Sequence, residues 1–164
     1  MTSPILQGFP PIITPGARIL ILGNMPGVAS LDAHQYYAHP RNAFWRITGE
    51  LFGFDPAAPY GDRTAALTTA GVAVWDVLRS CRRKGSLDSA VEPESMVAND
   101  FGTLFAAHPT IATVCFNGAA AERNYRRLVT AAHPSRYTTL PSTSPAHTQR
   151  FEAKLAAWRE VLTG

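Results

Sequence analysis

The sequence predicts an α/β protein, a three-layer α/β/α sandwich around a central, mostly parallel four-stranded sheet. Three observations carry that reading. Four short apolar runs, ARILIL (17–22), GVAVWDVL (71–78), TIATVCF (110–116) and RYTTL (136–140), have the composition of strands. Segments of helical period lie between them. Each run empties into a polar loop, and parallel strands gather such loops at one edge of the sheet.

In chain order, residues 1–16 are Pro-rich and read as an irregular lead-in across the surface. The strand 17–22 stops at Gly23. Residues 42–52 (NAFWRITGELF) place Phe44, Ile47, Leu51 and Phe52 at helical spacing, with Asn42 as N-cap. A loop over 53–60 precedes a short helix, 62–70, closed by Gly71. The strand 71–78 leads into a basic, polar stretch, 79–93, read as the longest loop. A helix over 95–107 sets Val97, Phe101, Leu104 and Phe105 on one side and ends at His108-Pro109. After the strand 110–116, Asn117-Gly118 turns the chain into a helix over 119–132. The strand 136–140 is followed by the PSTSPAH loop, then by an amphipathic helix over 148–162 with Phe151, Leu155, Trp158 and Leu162 inward. No repeat or linker interrupts this alternation, so residues 1–164 are expected to form a single domain.

Composition narrows the function. Hydrophobic residues make up 46% of the 164, but no stretch approaches the ~20 consecutive apolar residues of a membrane span, and the start lacks a signal peptide's basic region. A cytoplasmic protein is expected, associated with the nucleoid if bacterial, and nothing points to an obligate protein partner. Cys81 and Cys115 fit no metal spacing and read as reduced, packed thiols. His34, His108 and His133 have no partners at ligand spacing, so neither metal nor cofactor is expected. The net charge of +3 permits a polyanionic partner without requiring one. The basic residues gather in two clusters, Arg79/Arg82/Arg83/Lys84 and Arg123/Arg126/Arg127, which makes nucleic acid a serious possibility.

The loops after the strands hold the chemistry. Gly23-Asn24-Met25-Pro26-Gly27 is a tight turn; it lacks the Gly-Lys-Ser/Thr of a phosphate-binding loop and the Gly-x-Gly-x-x-Gly of a dinucleotide site. Tyr36-Tyr37-Ala38-His39-Pro40-Arg41-Asn42 combines rings that stack on a planar base with an amide that fixes a base edge or a water. The alternative is that Asn42 only caps its helix and the tyrosines fill the loop. Ser142, Thr143, Ser144 and Pro145 form a stiff hydroxyl-rich loop suited to close approach to a phosphate. Without a Gly-x-Ser-x-Gly elbow, Ser144 and His147 do not make an acyl-transfer pair. Asp76 ends a buried strand as a structural or a functional acid, and Asn117 is a turn residue or a site residue.

Five segments in order, GNMPGVASL (23–31), YYAHPRNAFW (36–45), VWDVL with GSLD (74–78 and 85–88), FNG (116–118) and LPSTSPA (140–146), resemble the uracil-DNA glycosylase superfamily. The resemblance spans residues 19–150 and is closest to the hypoxanthine-DNA glycosylase branch. It implies a base-excision repair enzyme that cuts the N-glycosidic bond of a deaminated base flipped out of double-stranded DNA, with hypoxanthine favoured and uracil secondary. In the mismatch-specific cousins the first motif is Gly-Ile-Asn-Pro-Gly, whose third residue is the catalytic Asn; classical uracil enzymes have Asp there. Here that position is Met25, which can do neither task, and Leu140 replaces the His that opens the last motif in the classical enzymes.

The resemblance therefore assigns catalysis to Asn42. It implies a base pocket of Gly23, Asn24, Met25, Pro26, Gly27, Tyr37, Phe44, Asp76 and Asn117, with Tyr37 or Phe44 stacking on the base and Asp76 accepting an N–H. It places Ser142, Thr143, Ser144, Pro145, His39, Arg41, Arg82 and Arg83 against DNA. No lysine is placed to form a Schiff base, so strand-cleaving lyase chemistry is not expected. The rivals are a mismatch-specific uracil/thymine glycosylase, a nucleic-acid-binding module that kept the fold but lost hydrolysis, which Met25 favours, and more weakly a small-molecule nucleoside hydrolase.

Overall fold

A computed structural model describes residues 3–131 and 136–163. The chain runs β1 (Ile5–Gln7), β2 (Ile19–Gly23), α1 (Val28–Ala33), α2 (Phe44–Phe52), α3 (Tyr60–Thr69), β3 (Val72–Asp76), β4 (Leu78–Arg82), β5 (Val97–Ala98), α4 (Phe101–Ala107), β6 (Thr113–Asn117), α5 (Ala119–Leu128), β7 (Arg136–Leu140) and α6 (Phe151–Leu162), with short 3-10 turns at Asp88–Ala90 and Pro93–Ser95. The expected sheet is present, with four strands in the order β3-β2-β6-β7. All three pairings are parallel. Central β2 and its neighbour β3 are buried along their whole length, as both faces of a helix-covered sheet require.

The chain steps from β2 to β3 on one side, then crosses β2 to reach β6 and continues outward to β7. Right-handed crossovers put the helices of these opposite steps on opposite faces. Hence α2 and α3 cover one face and α4 and α5 the other. The last helix, α6, returns to the first face, where Trp158 meets Phe44 of α2 edge-on at 6.0 Å. On the second face Phe101 of α4 packs against Tyr125 of α5 at 5.2 Å. The reversal of direction at β2 creates the crevice in which open α/β sheets hold ligands.

Register places the strand ends. Gly23 pairs with Asp76, Leu22 with Phe116, and Asn117 with Leu140. Gly23, Asp76, Asn117 and Leu140 therefore stand in one row at the C-terminal edge of the sheet.

Several sequence expectations are corrected. The lead-in is not irregular throughout: β1 pairs antiparallel with β4, Ile5 opposite Arg82 and Gln7 opposite Ser80, and Ile12 bridges to Val74. Prolines flank β1 without interrupting it; Met1 and Thr2 lie outside the described residues. The stretch 79–93 does not begin as a loop. Its first residues belong to β4, where exposed Arg79 alternates with buried Ser80. With β5 these strands form a second sheet, order β1-β4-β5. The helix expected from 95 starts only at Phe101, because Asp100 caps it, its Oδ1 accepting the Thr103 N–H at 3.1 Å. Residues 28–33, expected within a loop, form the short helix α1, which ends where His34 turns left-handed (φ 54°). α5 gives way at Val129; Ala132, its expected end, and His133 lie outside the described residues, as does Gly164.

Trp158 is fully buried, and its indole N–H donates to the Pro141 carbonyl at 2.9 Å. It thus carries both core packing and the root of the loop after β7. Trp158→Ala is expected to cost about 3–5 kcal/mol, as for other large core truncations. Urea unfolding at constant slope measures it.

Candidate active site

The row of strand ends opens into a cleft of about 270 Å³. Its floor is Gly23, Asp76 and Tyr37. A methyl group at Gly23 would lie 2.5 Å from Asp76 Oδ1 and 2.9 Å from the Tyr37 hydroxyl. Only glycine lets the β3 carboxyl and the ring from the following loop converge there. Among the described residues, Asp76 Oδ2, the Tyr37 hydroxyl and Arg83 Nη1 are buried without a hydrogen-bond partner, and the first two belong to the cleft floor. Such groups are rare in folded proteins and mark places where a ligand completes the bonding. Burial, reinforced by the Asp88 carboxylate and opposed by the Arg83 guanidinium, pushes the Asp76 carboxyl up to about 7. Burial and the nearby Asp76, opposed by the polar Asn117 side chain beside it, also raise Tyr37 above the usual tyrosine range, so it stays a neutral phenol.

The first wall is the turn after β2. Asn24, Met25, Pro26 and Gly27 all line the cleft, but the Asn24 side chain is already engaged. Its Nδ2 donates to Asp88 Oδ1 at 3.0 Å, and its Oδ1 accepts from Asn124 Nδ2 at 2.8 Å. Met25 is 8% exposed and belongs to the hydrophobic core. The turn is tied to the 85–88 loop twice more. The Val28 N–H donates to Ser86 Oγ at 2.9 Å. Arg83 donates to both the Pro26 and the Gly85 carbonyls at 2.7 Å.

The second wall is the entry to α2. Asn42 is half-buried, lines the cleft, and accepts the Phe44 N–H on Oδ1 at 2.9 Å. It is thus oriented by the helix start, one residue before the position at which α2 is capped, Ala43. A carbonyl oxygen has a second lone pair and the amide nitrogen two hydrogens; the Nδ2 has no partner among the described residues. Asn42 therefore offers a donor and an acceptor to the cleft while its plane is held from behind.

The third wall is the 141–147 loop. Asn117, at the end of β6, grips it with both ends of its amide. Its Nδ2 donates to Thr143 Oγ1 at 3.0 Å, and its Oδ1 accepts the Thr143 N–H at 2.9 Å. Ala43 N–H donates to the Thr143 carbonyl at 3.0 Å, joining this wall to the second. Beneath the loop, buried Lys154 donates to the Ser144 carbonyl at 3.2 Å. Burial lowers its ammonium below the usual lysine range.

The cleft thus brings together Gly23, Asn24, Met25, Pro26, Gly27, Tyr37, His39, Asn42, Asp76, Asn117, Ser142, Thr143, Ser144 and Pro145. Other expected site residues stand elsewhere. Phe44 is fully buried and stacks on Tyr37 at 4.1 Å; it backs the ring that faces the cleft and cannot itself meet a base. Arg83 is 3% exposed and spends its guanidinium on two loop carbonyls, so it does not face DNA. Arg82 donates to the Ser3 carbonyl at 3.0 Å, away from the cleft. Thr143 is 1% exposed and acts as a brace inside its loop. Arg41 is exposed but does not line the cleft.

Sequence reasoning assigned no role to Ser86, Asp88 or Asn124. Ser86 and Asp88 sit in the GSLD segment beyond β3, at the edge where the strand ends gather. Asn124 lies on the inward side of α5 with Ala121 and Tyr125, a polar residue at an apolar helical position, which is a readable sign of a buried hydrogen bond. Among the described residues no group of three or more His, Cys, Asp or Glu could hold a metal. No helix among them is long and apolar enough to cross a membrane.

Comparison with known proteins agrees with this architecture. Residues 10–162 match the family model described as uracil DNA glycosylase superfamily. A hypoxanthine DNA glycosylase from Methanosarcina barkeri is 34% identical, over 94% of this chain and 96% of the relative. One from Methanosarcina acetivorans is 32% identical, over 96% and 98%. A solution NMR structure from Methanosarcina acetivorans, described as a candidate uracil DNA glycosylase, superposes with a TM-score of 0.80 at 31% identity, covering 96% of each chain. A chain matched almost end to end by the family model, with the family's sheet and a cleft at its strand ends, belongs to the uracil DNA glycosylase superfamily.

Proposed function

We propose that this protein is a monofunctional DNA glycosylase that releases hypoxanthine, and secondarily uracil, from duplex DNA. The observation that carries the proposal is the floor of the cleft: a buried carboxyl oxygen and a buried phenol, both unpartnered, beside a glycine. A purine with a lactam edge offers an N–H to a carboxylate and a carbonyl to a hydroxyl. The names of the two Methanosarcina relatives support hypoxanthine as the favoured base.

The chemistry follows from the walls. The target base leaves the stack and enters the cleft, at a cost of a few kcal/mol that is smallest at a mispair. Tyr37, backed by Phe44, presents a ring to it. The C1′–N9 bond breaks with its electron pair passing to the base while the sugar gains oxocarbenium character. Water adds its oxygen to C1′; one proton is lost to solvent and one is taken up by the departing base. Asn42 holds that water on its free lone pair or donates from Nδ2 to the base. The 141–147 loop lies against the phosphates, whose own charge stabilises the sugar cation.

Met25 supports a second reading, a module that binds deaminated DNA without hydrolysing it. A panel of duplexes bearing hypoxanthine, uracil, xanthine or mispaired thymine decides. Abasic product from deoxyinosine duplexes is the expected result; tight binding with no abasic product on any duplex selects the module. Product only from uracil or thymine mispairs selects the mismatch-specific enzyme.

Two further outcomes are expected. Asn42→Ala loses most single-turnover base release, by about 100-fold or more, on the scale of losing a transition-state hydrogen-bond donor, while duplex affinity changes little. Full activity in that variant removes Asn42 from catalysis. For Asp76 the sign is opposite for stability and for base recognition. Its carboxyl is raised in the folded protein to about 7, above the ~4 of the unfolded chain. Folding stability from this group is therefore fully present below about pH 4 and is lost as pH rises through 7. Base release that needs the ionised acceptor rises over the same range. Asp76→Asn is expected to raise the melting temperature at pH 8 more than at pH 5 and to flatten the rise in base release near pH 7. An unchanged pH profile in that variant removes Asp76 from base recognition.

A further inference from the structure

Two carboxylates line the cleft, Asp76 and Asp88, and no lysine or arginine lines it. Asp76 is buried on the floor, whereas Asp88 is exposed at the rim. The first meets the base in the reading above; the second has no part in it. The 3-10 turn that begins at Asp88 takes no side-chain cap, so the carboxylate is not spent on its own loop. Among the described residues its side chain has one hydrogen-bond partner, in the first wall. Oδ1 accepts from Asn24 Nδ2 at 3.0 Å, and Asn24 is held in turn by Asn124 of α5 at 2.8 Å. Asn24 and Asn124 are both buried, and Asp88 Oδ2 is left free.

A carboxylate at the mouth of a cleft that meets DNA opposes binding, because it faces a line of phosphates. Two buried amides that hold it there call for a different account, and the chemistry supplies one. A purine whose lactam edge reaches Asp76 and Tyr37 on the floor points N9, on the opposite side of its ring system, back toward the rim. The sugar then lies at the level of Asp88. Positive charge develops there as the C1′–N9 bond breaks, and an anion already fixed at that level stabilises it without reorganisation. The Asp88 charge also reaches into the cleft: burial is the main cause that raises Asp76 and Tyr37, and Asp88 adds to both.

We propose that Asp88 is a further catalytic residue, whose carboxylate faces the sugar of the bound nucleotide, stabilises positive charge at C1′ and takes a proton from the attacking water. The water oxygen bonds to C1′ as the C1′–N9 electron pair passes to the base. The water proton passes to Asp88 Oδ2 and from there to solvent, which reaches the exposed side chain. Asn24 and Asn124 are positioning residues that aim the carboxylate. The inference rests on the glycosylase reading for its reaction, but the placing of the charge is tested without turnover.

The test uses the full-length protein with Asp88→Asn, which keeps an acceptor for Asn24 and removes the charge, and with Asn124→Ala. Single-turnover base release from deoxyinosine duplexes is measured at pH 8, above the titration of Asp76 at about 7. Asp88→Asn is expected to lose about 100-fold, the scale of a general base, while duplex affinity holds or rises. Asn124→Ala loses less, and adds nothing once Asp88 is Asn; a merely structural role would make the two losses additive. Binding is then compared on duplexes that carry a cationic pyrrolidine or a neutral tetrahydrofuran in place of the target sugar. The unmodified protein is expected to prefer the pyrrolidine, and Asp88→Asn to cut that preference by about tenfold. Unimpaired release in Asp88→Asn, or a pyrrolidine preference that survives it in full, overturns the proposal. If the unmodified protein releases no base, the glycosylase reading fails and the catalytic role falls with it; the pyrrolidine preference still decides whether Asp88 faces the sugar.

Discussion

Parallel pairing of β2 with both its neighbours is the constraint on which the site depends. It aligns Gly23 with Asp76 and carries the same row through Asn117 to Leu140. A slip of one residue in either ladder would turn every side chain of a strand to the other face. The core on both faces opposes such a slip, because β2 and β3 are buried throughout. The hydrophobic register of the sheet is thus also the alignment of the cleft. Gly23 is the point at which the two meet: it ends a fully buried strand and leaves the space in which the Asp76 carboxyl and the Tyr37 hydroxyl converge.

Polar side chains hold the loops beyond that row. Asn24, Ser86 and Arg83 tie the first wall to the 85–88 loop, Asn117 grips the third wall, and the Ala43 N–H joins the third wall to the second before any ligand arrives. A site braced in this way loses little conformational freedom on binding, which favours a fixed geometry at the reacting atoms. The contrast lies with Asp76 Oδ2 and the Tyr37 hydroxyl. Among the described residues three buried side-chain atoms are unanswered, and two of them, Asp76 Oδ2 and the Tyr37 hydroxyl, belong to residues that line the cleft.

The four principal strands were legible as β-branched and apolar runs, two of them stopped by Gly23 and by Asn117-Gly118 and the last by Pro141, whereas the run 71–78 divides at Asp76 into the end of β3 and the start of β4. The residues at those ends pointed to the cleft before the geometry did. Charge hid much of the rest. Arg79, Arg82 and Arg83 suggested a solvated loop, and only pairing with β1 shows that the first two lie on a strand. A buried arginine such as Arg83 carries no mark in the sequence, because its burial depends on two carbonyls supplied by loops before and after it. Helical spacing placed Phe44 on an inward face, and the resemblance placed it against a base. Burial decides for the inward face, with Tyr37 between Phe44 and the cleft. The six-residue helix α1 is too short for its period to stand out. The orientation of Asp88 follows from Asn24 and Asn124, both distant in sequence.

The most consequential substitution in the first motif is Met25, and its surroundings account for its tolerance. It is 8% exposed and packs into the core, so it holds the turn from below as a flexible apolar filler. The backbone of the turn, not the side chain at its centre, is what remains for a ligand. The polar role proposed for this site then belongs to a group presented from another wall. Asn42, one residue before the cap at Ala43, lines the cleft; its bond from the Phe44 N–H consumes one lone pair and leaves the other, together with both amide hydrogens, for a ligand. A side chain bonded to the backbone of the helix start is held to one orientation by the fold itself. The expected N-cap role passes to Ala43, and the bond from the Phe44 N–H leaves the Asn42 amide able to serve the catalytic role proposed for it.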